Sequence, residues 1–196
     1  MRKLIMKMSV SLDGFVCDAN GRKDWIFKTG DEESLAWSVG IIKQAGLLIM
    51  GRVSFEEMAP FWPTATGPFA EPMNTTPKAL FTKKGFGGLP PVATTTPEQV
   101  AAAASWASAS VFSSDLTETI RELKTTGNGK PIVALGGGGF MQSLIATGLI
   151  DEYHLAIHPV ALGAGLPIFN APLELQLTDL KRFPRGIVVH VYQGVQ

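Results

Sequence analysis

The sequence predicts an α/β protein of three layers, with a central, mainly parallel mixed sheet, helices on both faces and a C-terminal antiparallel hairpin. Three observations lead there. Short apolar runs alternate with segments of helical spacing over the first three quarters of the chain. Glycine and proline punctuate the junctions, 21 and 13 of them in 196 residues, as many tight connections require. After residue 150 the helical pattern stops and strand-like runs follow.

Leu4 to Ser11 is a short apolar run bounded by the turn signal Asp13-Gly14, and reads as a strand. Asp31 is placed to cap a helix whose apolar positions Leu35, Val39, Ile42 and Ala45 keep helical spacing up to Gly46. Leu47 to Met50 reads as a central strand, and a helix starts at once over Gly51 to Met58. Pro60 to Pro77 holds five prolines and reads as loop, with one turn around Phe69 to Met73. Lys78 to Thr82 is a further strand, and the Gly-, Pro- and Thr-rich stretch 85–96 an irregular excursion. Pro97 opens a helix through four consecutive alanines to Ala107. Val111-Phe112 is a short strand, and Asp115 caps a helix over Leu116 to Lys124 that Gly127, Asn128 and Gly129 end. Ile132 to Leu135 is a strand running into four glycines, followed by a helix over Phe140 to Thr147. Glu152 to Pro159, Leu173 to Phe183 and Ile187 to Gln193 complete the strands, with Pro184-Arg185-Gly186 turning the last two into a hairpin. No internal repeat or long linker divides the chain, so residues 1–196 read as a single domain.

Composition narrows the function. Hydrophobic residues make up 45% and charged residues 17%, too apolar for disorder and too interrupted for a membrane span. Lys plus Arg equals Asp plus Glu at 17 each, so there is no basic excess for phosphodiester backbones, and nucleic acid is not expected as a partner. The one cysteine, Cys17, excludes an intrachain disulfide framework, and Lys7 interrupts the apolar N-terminal run before a signal-peptide core forms; a cytoplasmic home is the expectation.

Two stretches carry chemistry. In Ile132-Val133-Ala134-Leu135-Gly136-Gly137-Gly138-Gly139-Phe140 a buried strand opens through four glycines into a helix, which lets backbone approach a ligand and aims free N–H groups at a phosphate. The spacing is not the Rossmann one, because Met141 stands where the third glycine belongs. Met50-Gly51-Arg52-Val53-Ser54 repeats the design with an arginine in the first helical turn, where the dipole disfavours it and a phosphate would explain it. Lys83-Lys84 is a weaker basic feature. Metal chemistry is not expected: His154 and His158 share a strand face but lie about 13 Å apart.

The segments Ser11-Leu12-Asp13-Gly14-Phe15-Val16, Met50-Gly51-Arg52, Pro77-Lys78, the glycine run, Gly148-Leu149-Ile150-Asp151-Glu152 and Pro159 to Phe169 occur in an order that resembles the dihydrofolate-reductase-like superfamily, in particular the C-terminal reductase domain of the bifunctional riboflavin-pathway deaminase/reductase. The resemblance covers nearly the whole chain. It implies NADPH as hydride donor, with Gly51, Arg52 and Ser54 at the phosphates, Thr82 and Lys83 on the adenosine side, Gly136 to Gly139 at the pyrophosphate, and Gly14 bordering the nicotinamide. It also places Asp13 at the border of nicotinamide and substrate, and Ser34 where folate reductases carry an acid that binds the pterin. Asp13 reads either as a proton relay or substrate contact or as a plain turn residue, and Trp25 and Trp62 either as substrate-side residues or as buried core aromatics. A serine supplies no charge to a pterin, and Met58-Ala59-Pro60 lacks the Asp that the riboflavin-pathway reductase carries before its proline. The expected function is therefore reduction of a small heterocycle or a carbonyl or imine. The alternatives are an NADPH-binding protein without turnover and a true dihydrofolate reductase. A homodimer formed through the C-terminal half is expected as well.

Overall fold

The computed structural model describes residues 1–195. In chain order its elements are β1 (Leu4–Ser11), β2 (Phe15–Asp18), α1 (Trp25–Thr29), α2 (Glu32–Gln44), β3 (Leu47–Gly51), α3 (Arg52–Met58), a 3-10 turn (Trp62–Thr64), α4 (Ala70–Thr75) and β4 (Lys78–Phe81). There follow α5 (Pro97–Ala107), β5 (Ser110–Phe112), α6 (Leu116–Thr125), β6 (Ile132–Leu135), α7 (Gly138–Ile145), β7 (Glu152–His158), β8 (Gly165–Pro167), β9 (Leu175–Arg182) and β10 (Val188–Gly194). Eight strands form one sheet in the order β5-β4-β3-β6-β1-β7-β10-β9. The six from β5 to β7 are parallel, and β10 and β9 add on antiparallel.

The sheet is covered on both faces. Leu4, Met6, Met8 and Val10 of β1 pack on one side with Ile120 of α6 and Met141 and Leu144 of α7. Ile5, Leu48, Met50 and Val133 pack on the other with Ile42 of α2, Phe55 of α3, Met73 of α4 and Trp106 of α5. Each four-residue strand β4 and β6 is buried along its whole length: β6 reads as a continuous apolar run, and β4 is apolar after Lys78, whose buried ammonium donates to the Thr76 carbonyl at 2.7 Å. No helix among the described residues is long and apolar enough to cross a membrane.

Local chemistry sets the helix starts. Asp31 caps α2 reciprocally with Ser34: its carboxylate accepts the Ser34 N–H at 2.8 Å, and the Ser34 hydroxyl accepts the Asp31 N–H at 3.0 Å. Thr96 and Asp115 cap α5 and α6 through the N–H groups of Gln99 and Glu118. The caps of α3 and α7 are glycines, Gly51 and Gly137, with no side-chain bond.

Several expectations needed correction. Three short elements, β2, α1 and β8, went unread; β2 and β8 form a separate two-stranded sheet. Their pairing, Phe15 with Pro167 and Asp18 with Gly165, joins residues about 150 apart in sequence, beyond the reach of any local pattern. Helix α7 begins at Gly138, so two of the four glycines are helical. The proline-rich segment 60–77 holds the 3-10 turn and α4 instead of one turn.

At Gly51 a side chain has no room: an added Cβ would lie 2.7 Å from Phe140 Cβ, whereas one at Gly139 meets nothing within 4 Å. Gly51→Ala is therefore expected to cost about 1–3 kcal/mol in chemical denaturation. Gly139→Ala, a glycine removed from a first helical turn, should change stability by less than about 1 kcal/mol. Equal losses at both positions would show that the Gly51–Phe140 approach does not constrain the fold.

Candidate functional site

One large cleft, of about 2100 Å³, opens along the C-terminal ends of the parallel strands. An ordinary small-molecule site occupies roughly 300–1,000 Å³, so this one has room for a dinucleotide and a second molecule.

Its first half lies over the ends of β3, β4, β5 and β6. Gly136 and Gly137 take φ values of +69° and +83°, open to glycine without strain, and bring the chain round to start α7. A Cβ on Gly137 would stand 3.4 Å from Ser54 Oγ and 3.7 Å from the Gly51 nitrogen, so the first turns of α3 and α7 abut. The unfilled N–H groups of both turns meet at the cleft. Arg52 lines it, half-exposed, with Nη1 3.1 Å from Glu56 one helical turn away. Thr82 is buried at the end of β4; its hydroxyl donates to the Gly85 carbonyl at 3.0 Å and accepts the Lys84 N–H at 3.2 Å, shaping the turn that exposes Lys83 and Lys84.

The second half lies over β1, β7 and β10. Here the central strand β1 turns polar on one face. Lys7 sits opposite His154, Ser9 opposite Ala156 and Ser11 opposite His158, so the three polar residues of β1 share a face with both histidines of β7. Lys7 keeps some solvent contact through the cleft, but the protein packed around its ammonium, 5.6 Å from the Trp37 ring, pushes its pKa down to about 8. It stays largely protonated at neutral pH. Burial, helped by the Lys7 charge, lowers His158 to about 4. The His158 ring is held by Thr29, whose hydroxyl lies 2.6 Å from Nδ1 and donates its own proton to the Trp25 carbonyl at 2.8 Å. With that proton committed, Nδ1 is the donor and Nε2 keeps its lone pair. His154 is likewise held neutral by burial, against the pull of Glu152, whose Oε2 lies 2.9 Å from Nε2. Among the described residues no cluster of His, Cys, Asp and Glu could hold a metal ion.

Gly51, Arg52, Ser54, Thr82, Lys83, Gly136, Gly137, Gly138, Gly139, Ser34 and Trp62 all lie along this one cleft. Asp13, Gly14 and Trp25 stand outside its lining. Asp13, the candidate proton relay or substrate contact, is engaged as a latch: its carboxylate accepts the Ser11 hydroxyl at 2.6 Å and the N–H groups of Leu162 and Gly163 at 3.0 and 2.7 Å. Those bonds, the Ser11 bond foremost, hold its pKa down to about 2 and tie the turn after β1 to the loop before β8. Gly14 supplies the positive φ of that turn, +84°, and accepts the Ile168 N–H through its carbonyl. Trp25 supports the site from behind, packed edge-on against His158 with ring centroids 5.1 Å apart. Ser34 commits its hydroxyl to the cap of α2.

Lys7, Trp37 and His158 went unread as site residues. The signal for Lys7 is in the sequence: Lys7, Ser9 and Ser11 alternate with Met6, Met8 and Val10, and a polar face on a strand buried in mid-sheet needs a reason.

A mainly parallel sheet closed by an antiparallel hairpin, with its cleft at the strand ends, defines a protein of the dihydrofolate-reductase-like fold. The chain belongs to the RibD C-terminal domain family, which its sequence matches over residues 2–189. It is 29% identical over 195 residues to a Bacillus subtilis (strain 168) protein called uncharacterized protein YyaP, covering 97% of this chain and 94% of that one. Among solved structures it superposes on a putative riboflavin biosynthesis protein from Shewanella sp. PV-4 with a TM-score of 0.71, at 19% identity and complete coverage of both chains. A Thermotoga maritima protein described as a diaminohydroxyphosphoribosylaminopyrimidine deaminase/5-amino-6-(5-phosphoribosylamino)uracil reductase gives 0.63 at 15% identity, over 99% of this chain and 57% of that one.

Proposed function

We propose that the protein is an NADPH-dependent reductase that delivers a hydride to a small heterocyclic or carbonyl/imine substrate. The observation that carries the reading is the pair of abutting glycine-capped helix starts, Gly51 and Gly137, beside the open first turn of α7. Helices α2, α5 and α6 have side-chain caps; α3 and α7, like the shorter α1 and α4, have none, and of these α3 and α7 start side by side at the cleft, which leaves their N–H groups for a ligand. Bound there, NADPH supplies the hydride. Gly136 to Gly139 would receive its pyrophosphate, Arg52 and Ser54 the neighbouring phosphates, and Thr82 and Lys83 the adenosine side. Lys7 would hold the proton that a reduced carbonyl oxygen or imine nitrogen requires. His158, neutral and pinned by Thr29, would accept a hydrogen bond rather than give a proton.

Arg52 must exchange Glu56 for the cofactor's 2′-phosphate. An exposed i,i+4 pair is worth about 0.3–0.5 kcal/mol, against roughly 1.5–3 kcal/mol for a hydrogen bond to a charged group, so the exchange is favourable. Arg52→Ala should weaken NADPH about ten- to a hundredfold by titration calorimetry and leave NADH nearly unchanged, while Glu56→Gln should tighten NADPH about twofold. Equal weakening of both nucleotides would move the phosphate to Lys83 or away from this half of the cleft.

The acid role of Lys7 has a pH signature. A protonated donor with a pKa of about 8 is present below that pH and lost above it, so kcat/KM should fall about tenfold per pH unit beyond pH 8. Lys7→Met should remove that limb together with most of the rate. A variant that keeps the limb would show that another group gives the proton.

We also propose a homodimer. Leu177 and Leu180 are about half-exposed on β9, beside Tyr192 and His190 of β10, on a sheet face extended by two strands beyond β7. A second copy packed there would bury this face. Light scattering should give about twice the 21.0 kDa of the chain, and Leu180→Glu should halve it; a 21.0 kDa wild type at micromolar concentration would rule the dimer out.

A further inference from the structure

The two halves of the cleft are opposite in character. Arg52, Lys83 and Lys84 lie along the first. The second is walled by rings: Trp37, with Phe183 at 6.2 Å between centroids, beside β7 and β10; a further ring group lines the same cleft after α3, Trp62 with Phe61 at 5.0 Å and Phe69 at 6.0 Å. Such walls favour flat partners, by area and by ring stacking.

The charged groups around these rings do not suit an anion. Asp31 accepts the N–H groups of Ser34 and Arg185 at 2.8 and 2.9 Å and remains a carboxylate. Glu32 is exposed beside it. Lys23, which also lines the cleft, is 2.7 Å from Glu57. That leaves Lys7, on the floor, as the one ammonium among the lining residues of this half without an ion pair among the described residues; Lys181, 5.2 Å from the Phe183 ring, and Arg185, whose guanidinium donates to the Gly30 and Lys28 carbonyls, stand outside the lining. A phosphate that took Lys7 would displace the group to be reduced; a phosphate placed elsewhere against the lining would face acids and rings with no unpaired cation among the lining residues, at the cost of desolvating a dianion.

We infer that the substrate half takes a flat, uncharged ring compound carrying the reducible C=O or C=N bond, and discriminates against substrates bearing a phosphate or other fixed anion. The inference rests on the reductase reading above. It sets this chain apart from the Thermotoga maritima protein, whose description names a phosphoribosyl compound. The reaction balances with NADPH as the reductant. Its hydride adds to the carbonyl or imine carbon, the π pair moves to the oxygen or nitrogen, that atom takes one proton from the Lys7 ammonium, and NADP+ leaves.

Isatin and isatin-5-sulfonate test this, being the same flat dione with and without one anion. Binding is measured on the full chain by titration calorimetry, with and without NADPH, and NADPH consumption is followed at 340 nm as 3-hydroxyindolin-2-one forms. Isatin should bind at least about tenfold more tightly than its sulfonate and be consumed in preference to it. Trp62→Ala should weaken isatin and leave NADPH binding as it was. Glu32→Lys, an exposed change, should narrow the gap between the two diones. The phosphoribosylamino pyrimidine named for the Thermotoga maritima protein should be consumed with a kcat/KM at least about tenfold below that of isatin. A sulfonate that binds as well as isatin, preference for the phosphorylated pyrimidine, or failure of isatin to bind would overturn the inference. Selective isatin binding without any NADPH binding would instead overturn the cofactor reading and leave the ring selectivity standing.

Discussion

The close approach of Gly51 to Phe140 is the constraint on which the site depends. Strand β3 ends where α3 begins, and β6 ends where α7 begins, on strands that neighbour each other in the sheet. Two helix starts on adjacent strands collide if both carry side chains at the contact. Gly51 removes one of them, and the left-handed turns at Gly136 and Gly137 let the other chain swing in. The outcome is two sets of unfilled N–H groups side by side, an anion-attracting floor made of backbone. Gly138 continues the same logic deeper: a Cβ there would run into Leu166 and Val16, so the helix start is also pressed against the β2–β8 pair.

That pair is held in place by Asp13. A carboxylate in a turn is ordinarily free to bind a ligand, but here two backbone N–H groups and a serine hydroxyl consume it. The result is a short second sheet, anchored at the end of β1, that backs the glycine run and contributes Val16, Cys17 and Leu166 to the cleft. Asp13 thus acts on the site at a distance, by fixing the loop on which the wall is built.

The other half of the cleft is governed by desolvation. A lysine and two histidines on one face of mid-sheet strands would be a fault in a purely structural core. Enclosure lowers all three pKa values, yet leaves them in different states near neutral pH: Lys7 charged, His154 and His158 neutral. The Lys7 charge itself helps keep the histidines unprotonated. Of the three, Lys7 and His158 line the cleft, so a charged and a neutral group face it together.

Much of this was legible in the chain. The apolar runs of β1, β3 and β6, the caps Asp31 and Asp115, and the glycine run are local features, written in residues that sit next to each other, and they pointed to the fold class and to residues that line one half of the cleft. What the sequence left open depends on residues far apart meeting. Asp13 reads as a turn residue until Leu162 and Gly163 arrive, and β2 is no strand until β8 pairs with it. Leu177 and Leu180, three apart, should point to opposite faces of a regular strand; a bulge between Val191 and Tyr192 sets them opposite Tyr192 and His190, on one face. Local pattern determines where elements begin and end, because capping, periodicity and glycine geometry act within a few residues. Which side chains share a cleft, and in what state of charge, is decided only by tertiary packing, because desolvation and pairing depend on neighbours that the chain brings from a hundred residues or more away.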